Sequence, residues 1–334
     1  MSPETLHHNQ HPLGSGFSAA ATADEVLDGI SLEGINAVVT GGHSGIGLQT
    51  TRALSRAGAS VVVGARNPAH AAAAVGGLDR VEVGRLDLLD PTSITDFATR
   101  WLDTGRPVHI LVNCAGMPPS AQRMVDGRGY ESLFATNHLG HFQLALDLYP
   151  ALRAAEGSRV VSVTSGAHRL SDIHGDDVQL VGGYDAGTAY AQSKTANVLF
   201  AVELDRRWSD DGIRGYAPHP GVVVGTNLNG SVGEDALRAM GLIDEAGRPI
   251  IIPEHGRKTA AQAAATIVFA ATSPLLADIG GVYLKDSDVS PVDAEDRPMT
   301  NSPDLDIPAE VAPHAIDPQS ARRLWEMSEQ LLSG

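Results

Sequence analysis

Ala37-Val38-Val39-Thr40-Gly41-Gly42-His43-Ser44-Gly45-Ile46-Gly47 passes from a short β-branched run through a glycine-rich turn into an Ala- and Leu-bearing segment, Leu48 to Ala57. Glycine lets the backbone turn tightly and lets an anion approach it. The first turn of the following helix aims unpaired N–H groups and the positive end of its dipole at the same place. Gly41, Gly45 and Gly47, with Ile46 between the last two, are therefore expected to hold the pyrophosphate of a dinucleotide. His43 and Ser44 read as polar residues of that loop, not as catalysts.

The same rhythm continues downstream. Strand-like runs at 60–65, 81–86, 108–113 and 159–164 alternate with helical stretches from Pro68, at 93–104, at 130–155 and from Thr188. Such alternation implies βαβ units, hence an α/β, Rossmann-type doubly wound parallel sheet with helices on both faces. Runs at 213–217 and 282–285, separated by a helix at 254–272, bring the expected count to about seven strands. The stretch 222–253 mixes Gly, Asn and Pro with a short helix at 234–240, and suits a segment that covers a site. Residues 1–30 read as a loose leader in which Thr22 to Glu25 form a capping box opening a short helix. Residues 31–285 read as the nucleotide-binding catalytic domain, and 286–334 as an Asp- and Pro-rich surface tail with an amphipathic helix at 318–332.

Composition narrows the classes. With 43% hydrophobic but only 4% aromatic residues, the 334-residue chain must fill its core with Ala, Val, Leu and Ile. A net charge of −16 argues against nucleic acid and anionic membranes as partners, since both need clustered Lys and Arg. A single cysteine, Cys114, rules out an intramolecular disulfide and fits a reducing, cytoplasmic setting. No apolar run nears the roughly 20 residues of a membrane span, and the first thirty residues lack the pattern of a secretion signal, so no membrane anchor is expected. His7, His8 and His11 are irregularly spaced in a polar segment and read as a flexible terminus; no metal is expected.

Three further places carry chemistry. At the end of the second strand, where an acid would take the ribose hydroxyls of NAD, the sequence is Val63-Gly64-Ala65-Arg66-Asn67. The small Ala65 leaves room for a 2′-phosphate and Arg66 can bind it, so NADP(H) is favoured over NAD(H); a solvated surface arginine is the alternative. Asp87, after the third strand, is placed either to accept from the adenine amino group or to cap its own turn. Then Tyr190-Ala191-Gln192-Ser193-Lys194 puts a phenol and an ammonium four residues apart on one helix face, where the cation favours the phenolate.

Taken in order, the loop Thr40 to Gly47, Asp87-Leu88, Asn113-Cys114-Ala115-Gly116, Asn137, Ser165, Tyr190 with Lys194, and Pro220-Gly221 resemble the motif series of the short-chain dehydrogenase/reductase family over roughly residues 30 to 285. Thr136-Asn137-His138-Leu139-Gly140-His141-Phe142 and Ser162-Val163-Thr164-Ser165-Gly166-Ala167-His168 look like its retinol dehydrogenase and WW-domain oxidoreductase branch. The resemblance implies a catalytic tetrad. Ser165 would bond the substrate oxygen, Tyr190 would give or take the proton, Lys194 would hold the nicotinamide ribose, and Asn137 would anchor a water joining Lys194 to solvent. It also implies that Leu88, Asn113, Ala115 and Gly116 lie along the cofactor, and that Pro220, Gly221, Val222 and Thr226 meet the nicotinamide carboxamide. His138 and His141 read as packing or hydrogen-bonding residues.

The implied activity is hydride transfer between NADP(H) and a small-molecule alcohol, ketone or aldehyde. A nicotinamide-using epimerase or dehydratase is one alternative. A cofactor-bound, non-catalytic regulatory or scaffold protein is another. A homo-oligomer is expected, joined through the helices at 130–155 and 188–208.

Overall fold

The computed structural model describes residues 9–226, 233–293, 295 and 310–334. His7 and His8, residues 227–232 of the covering stretch, and 294 with 296–309 of the tail lie outside the described residues. The strands are β1 (Asn36–Thr40), β2 (Ser60–Ala65), β3 (Val81–Arg85), β4 (Ile110–Asn113), β5 (Ser158–Ser162), β6 (Ile213–His219), β7 (Val282–Lys285) and β8 (Asp288–Val289). They form one sheet in the order β3-β2-β1-β4-β5-β6-β7-β8, parallel through β7. The order reverses between β1 and β4, and in open sheets of this kind the crevice beyond such a reversal receives the ligand.

Both faces are covered, as the continuous apolar strands require. On one face Val39 packs with helices Gly45–Arg56 and Ala260–Thr272. On the other, Val38 packs with Phe97 of helix Pro91–Leu102, Phe142 of helix Gly140–Asp147 and Phe200 of helix Ala186–Trp208. The helix expected over 130–155 is broken into Ser132–Phe134, a π-helical turn Ala135–Leu139, Gly140–Asp147 and Tyr149–Arg153. Asn137 sits inside the π turn, a form of helix that recurs at functional sites.

The expected count of about seven strands is raised by one. β8 runs antiparallel to β7 across a tight turn in which Asp286 (φ +54°) and Ser287 (φ +58°) are both left-handed, as two-residue hairpin loops require. Asp tolerates that conformation better than most side chains, but Asp-Ser lacks the glycine that marks such turns in a sequence. Part of the stretch read as surface tail is therefore sheet edge. Farther along it, Val311 bonds backbone to backbone with Pro291 and Asp293, and Val311, Ala312 and Ala315 are fully buried. The terminal helix Pro318–Ser333 sets Trp325 against Phe142 and Trp208, with ring centroids 4.8 and 5.5 Å away.

Candidate active site

A cleft of about 750 Å³ opens beyond the C-terminal ends of the central strands. At one end the glycine loop turns with Gly41 at φ +66° and Gly45 at φ +52°. A Cβ on Gly47 would lie 2.6 Å from the Gly41 carbonyl oxygen, and one on Gly42 would lie 2.5 Å from Thr51 Oγ1, so the turn closes only with glycine there. Ser44 caps the next helix by position but gives it no side-chain hydrogen bond, which leaves the first-turn N–H groups for a ligand. His43 Nδ1 is buried without a hydrogen-bond partner, and burial together with nearby His70 lowers the pKa of its ring. Arg66, Asn67 and His70 line the same cleft. An uncapped helix start, an orphaned imidazole nitrogen and an exposed arginine fit the phosphates of a dinucleotide. Asp87 also lines the cleft while its Oδ1 accepts from Leu89 N at 3.2 Å, so it caps its turn as well.

The wall beside the loop is tied by a hydroxyl that the sequence did not single out. Thr40 Oγ1 accepts from the N–H groups of Cys114 (2.9 Å) and Ala115 (3.0 Å) and meets His141 Nε2 at 2.8 Å. His141 Nδ1 lies 3.0 Å from the Asn137 carbonyl oxygen, which only accepts, so Nδ1 carries the proton and the Thr40 hydroxyl donates to Nε2. Burial pushes His141 down to about 4, which keeps the ring neutral for this pattern. Asn137 is fully buried; its Oδ1 accepts from Met117 N (3.0 Å) and its Nδ2 donates to Ser193 Oγ (2.9 Å). It thus ties the loop after β4 to the helix of Tyr190 and Lys194. Ala115, Gly116 and Leu88 line the cleft, whereas Asn113 is buried beside β5 with Nδ2 3.4 Å from Ser162 Oγ.

Ser165 begins a short 3₁₀ turn, Gly166–Leu170, and its Oγ accepts from Ala167 N at 3.2 Å. Its hydroxyl lines the same cleft as the Tyr190 phenol and works to lower the phenol's pKa. Tyr190 rides on the first turns of helix Ala186–Trp208, which Asp185 opens by accepting from Thr188 N at 2.7 Å. Lys194 Nζ lies 5.6 Å from the Tyr190 ring centroid and donates to the Val163 carbonyl at 3.2 Å. The expected lowering of the phenol is not the direction found. Burial raises Tyr190, the Ser165 hydroxyl pulls it partly back, and burial pushes Lys194 down to about 8.

The opposite wall is apolar. Met117, Pro118 and Pro119 come from the loop after β4, and Leu237, Met240 and Leu242 from the covering stretch, where helix Glu234–Ala239 forms. Leu237, Leu242 and Ile243 cluster on Val222 and Val224, which gives this flap a small core of its own. Pro220, Gly221, Val222 and Thr226 line the cleft as well. The Thr226 Cγ2 methyl stands 3.5 Å from where a Gly45 Cβ would be, so this segment reaches across to the glycine loop.

Residues 36–237 match the family model described as short chain dehydrogenase. The chain is 42% identical to a "Probable oxidoreductase" of Streptomyces antibioticus over 91% of its own length and 99% of that protein's. It is 34% identical to the WW domain-containing oxidoreductase of Danio rerio, over 92% of this chain and 71% of the other. Among solved structures, an uncharacterized protein from Mycobacterium paratuberculosis superposes with a TM-score of 0.68 at 30% identity, covering 94% of this chain and 98% of that one. The sheet order, the glycine loop and these matches agree: the chain belongs to the short-chain dehydrogenase/reductase family of oxidoreductases.

Proposed function

We propose that the protein is an NADP(H)-dependent alcohol dehydrogenase or carbonyl reductase. The observation that carries this is the convergence of the Ser165–Tyr190 hydroxyl pair and Lys194 in one cleft with the glycine loop. The nicotinamide cofactor, when bound, supplies or accepts the hydride. Gly41, Ser44, Gly45, Ile46 and Gly47 hold its phosphates through backbone N–H groups, and Arg66 takes the 2′-phosphate that distinguishes NADP.

Ser165 and Tyr190 share the substrate oxygen. In reduction the Tyr190 O–H gives that oxygen its proton. A phenol whose pKa is raised by burial is protonated at neutral pH and so is ready as the acid. The resulting phenolate is offset by the Lys194 ammonium across the ring. Oxidation runs the same transfers backward. The apolar wall of Met117, Pro119, Leu237, Met240 and Leu242 favours an uncharged, moderately lipophilic alcohol, aldehyde or ketone.

We further propose a cytoplasmic setting and a homo-oligomer whose interface lies off the face of helix Ala186–Trp208 that the terminal helix Pro318–Ser333 covers. NADPH oxidation against a panel of ketones and aldehydes tests the assignment, and substrate-dependent turnover is expected. Isomerisation or dehydration without net cofactor change would move the assignment to an epimerase or dehydratase. Tight NADPH binding without turnover would move it to a scaffold.

A further inference from the structure

We infer that His168 and His219 are positioning residues for Ser165, holding the peptide group between Ser165 and Gly166 at both its polar ends, and that the C-terminal segment at 312–314 acts on the site through His168. The Ser165 carbonyl accepts from His168 Nδ1–H at 2.8 Å and from the His168 backbone N–H at 3.1 Å, and the Gly166 N–H donates to His219 Nδ1 at 3.0 Å. The two rings therefore take opposite tautomers. His168 has its proton on Nδ1, and its bare Nε2 accepts from the Ala312 N–H at 3.1 Å. His219 has its proton on Nε2.

Both imidazoles are fully buried against the Tyr283 ring, with centroids 4.9 Å (His168) and 6.4 Å (His219) from it. Burial is the main cause holding both neutral, His168 at about 3 and His219 well below its ordinary range. The charged and titratable neighbours work the same way: Arg169 and His314 on His168, and Lys285, Lys258, Lys194 and His168 on His219. The tail grips His168 a second time, since His314 Nε2 lies 2.9 Å from its carbonyl oxygen.

Turning the held peptide would swing Ser165 Oγ away from the Tyr190 hydroxyl. Misplacement by about 1 Å near reacting groups costs on the order of a hundredfold in rate. This inference rests on the catalytic assignment of Ser165, and the test separates the two. An asparagine side chain places its amide near the Nδ1 position and a glutamine near Nε2. His219→Asn keeps an acceptor for Gly166 and His168→Asn keeps a side-chain donor for Ser165, whereas His219→Leu loses the acceptor and His168→Gln leaves the Ser165 carbonyl only the backbone N–H of residue 168.

Kinetics of the full-length chain with NADPH and its best panel substrate, beside Ser165→Ala, give the first readout. Hydrogen–deuterium exchange of the peptide covering 163–170 gives the second, independent of activity. Expected are a fall in kcat of about a hundredfold for His219→Leu and His168→Gln with KM and NADPH affinity held, recovery to within roughly tenfold in the asparagine variants, and faster exchange only in the former pair. Wild-type kcat and exchange in His219→Leu would overturn the inference, as would asparagine variants no better than their partners. Should His219→Leu fail to fold, His219→Gln against His219→Asn makes the same comparison. Altered exchange with no effect of Ser165→Ala on turnover would instead retire the catalytic role of Ser165 and leave the clamp standing.

Discussion

Thr40 Oγ1 and His141 Nε2 are 2.8 Å apart, and through this contact the end of β1, the start of the loop after β4 and the π turn of Asn137 share one hydroxyl. Replacing Thr40 by Val keeps the shape but leaves the Ala115 N–H and a buried imidazole nitrogen without their partner, while the Cys114 N–H keeps the Val112 carbonyl at 3.1 Å. Each buried group left unsatisfied costs about 1–3 kcal/mol. Thr40→Val is therefore expected to lose several kcal/mol in urea unfolding and to bind NADPH more weakly, while Thr40→Ser stays near wild type. Equal stability of the Val and Ser variants would show that the hydroxyl does not join these elements.

Lys194 ties stability to pH. Its folded pKa of about 8 lies below the ordinary 10.5, so the unfolded chain binds the extra proton between those values. The cost of burying the ammonium is fully present below pH 8, declines by up to about 1.4 kcal/mol per pH unit above it, and is gone beyond pH 10.5. Lys194→Met removes that cost, and the Val163 carbonyl it leaves still accepts from Asn197 Nδ2 at 3.0 Å. The variant should be inactive but more stable at pH 7, by about 2–4 kcal/mol on the same linkage scale. Urea unfolding at pH 7 and 9.5 should show that advantage shrinking; a constant gap would place the ammonium in a solvated setting.

Arg66 is exposed at the cleft margin near His43 and His70. A charge-assisted bond to a 2′-phosphate is worth about 1.5–3 kcal/mol, so Arg66→Ala should weaken NADPH roughly ten- to a hundredfold and leave NADH nearly unchanged. Fluorescence titration with both cofactors measures this. A parallel loss for the two would remove the phosphate assignment.

Trp325 is the anchor of the terminal helix: it is buried among Phe142, Phe200 and Trp208, and Arg207 stands 4.7 Å from its ring. Trp325→Ala should cost about 3–5 kcal/mol. Because the helix covers Phe200 and Trp208, light scattering of the variant should also show more self-association than wild type. A stability within 1 kcal/mol of wild type, on the roughly ±0.5 kcal/mol scale of surface changes, would mean that the helix is only loosely docked.

The glycine loop, Arg66 and the Tyr190–Lys194 pair were legible because each is a local pattern: a turn between a strand and a helix, the end of a strand, two residues on one helical face. Strand β7 was readable for the same reason, with bounds 282–285 in both sequence and structure. What escaped depends on distance along the chain. Thr40 meets the N–H groups of Cys114 and Ala115 more than seventy residues away, and His168 takes its second partner from the C-terminal segment at Ala312. The hairpin to β8 escaped because its left-handed turn is made by Asp286 and Ser287 without glycine. The raised phenol escaped because helical spacing reports the neighbour of Tyr190 but not its burial, and burial dominates.

Tyr190→Phe tests the central claim most directly, because it removes one oxygen and its proton and leaves the ring packed with Leu133, Leu180 and Ala189. General acid catalysis contributes about 10²- to 10⁴-fold, so steady-state NADPH oxidation should fall by at least that range, while the variant binds NADPH as the wild type does and unfolds at the same temperature. Turnover within a few-fold of wild type, with the same substrate and cofactor affinity, would contradict the assignment of Tyr190 as the proton donor.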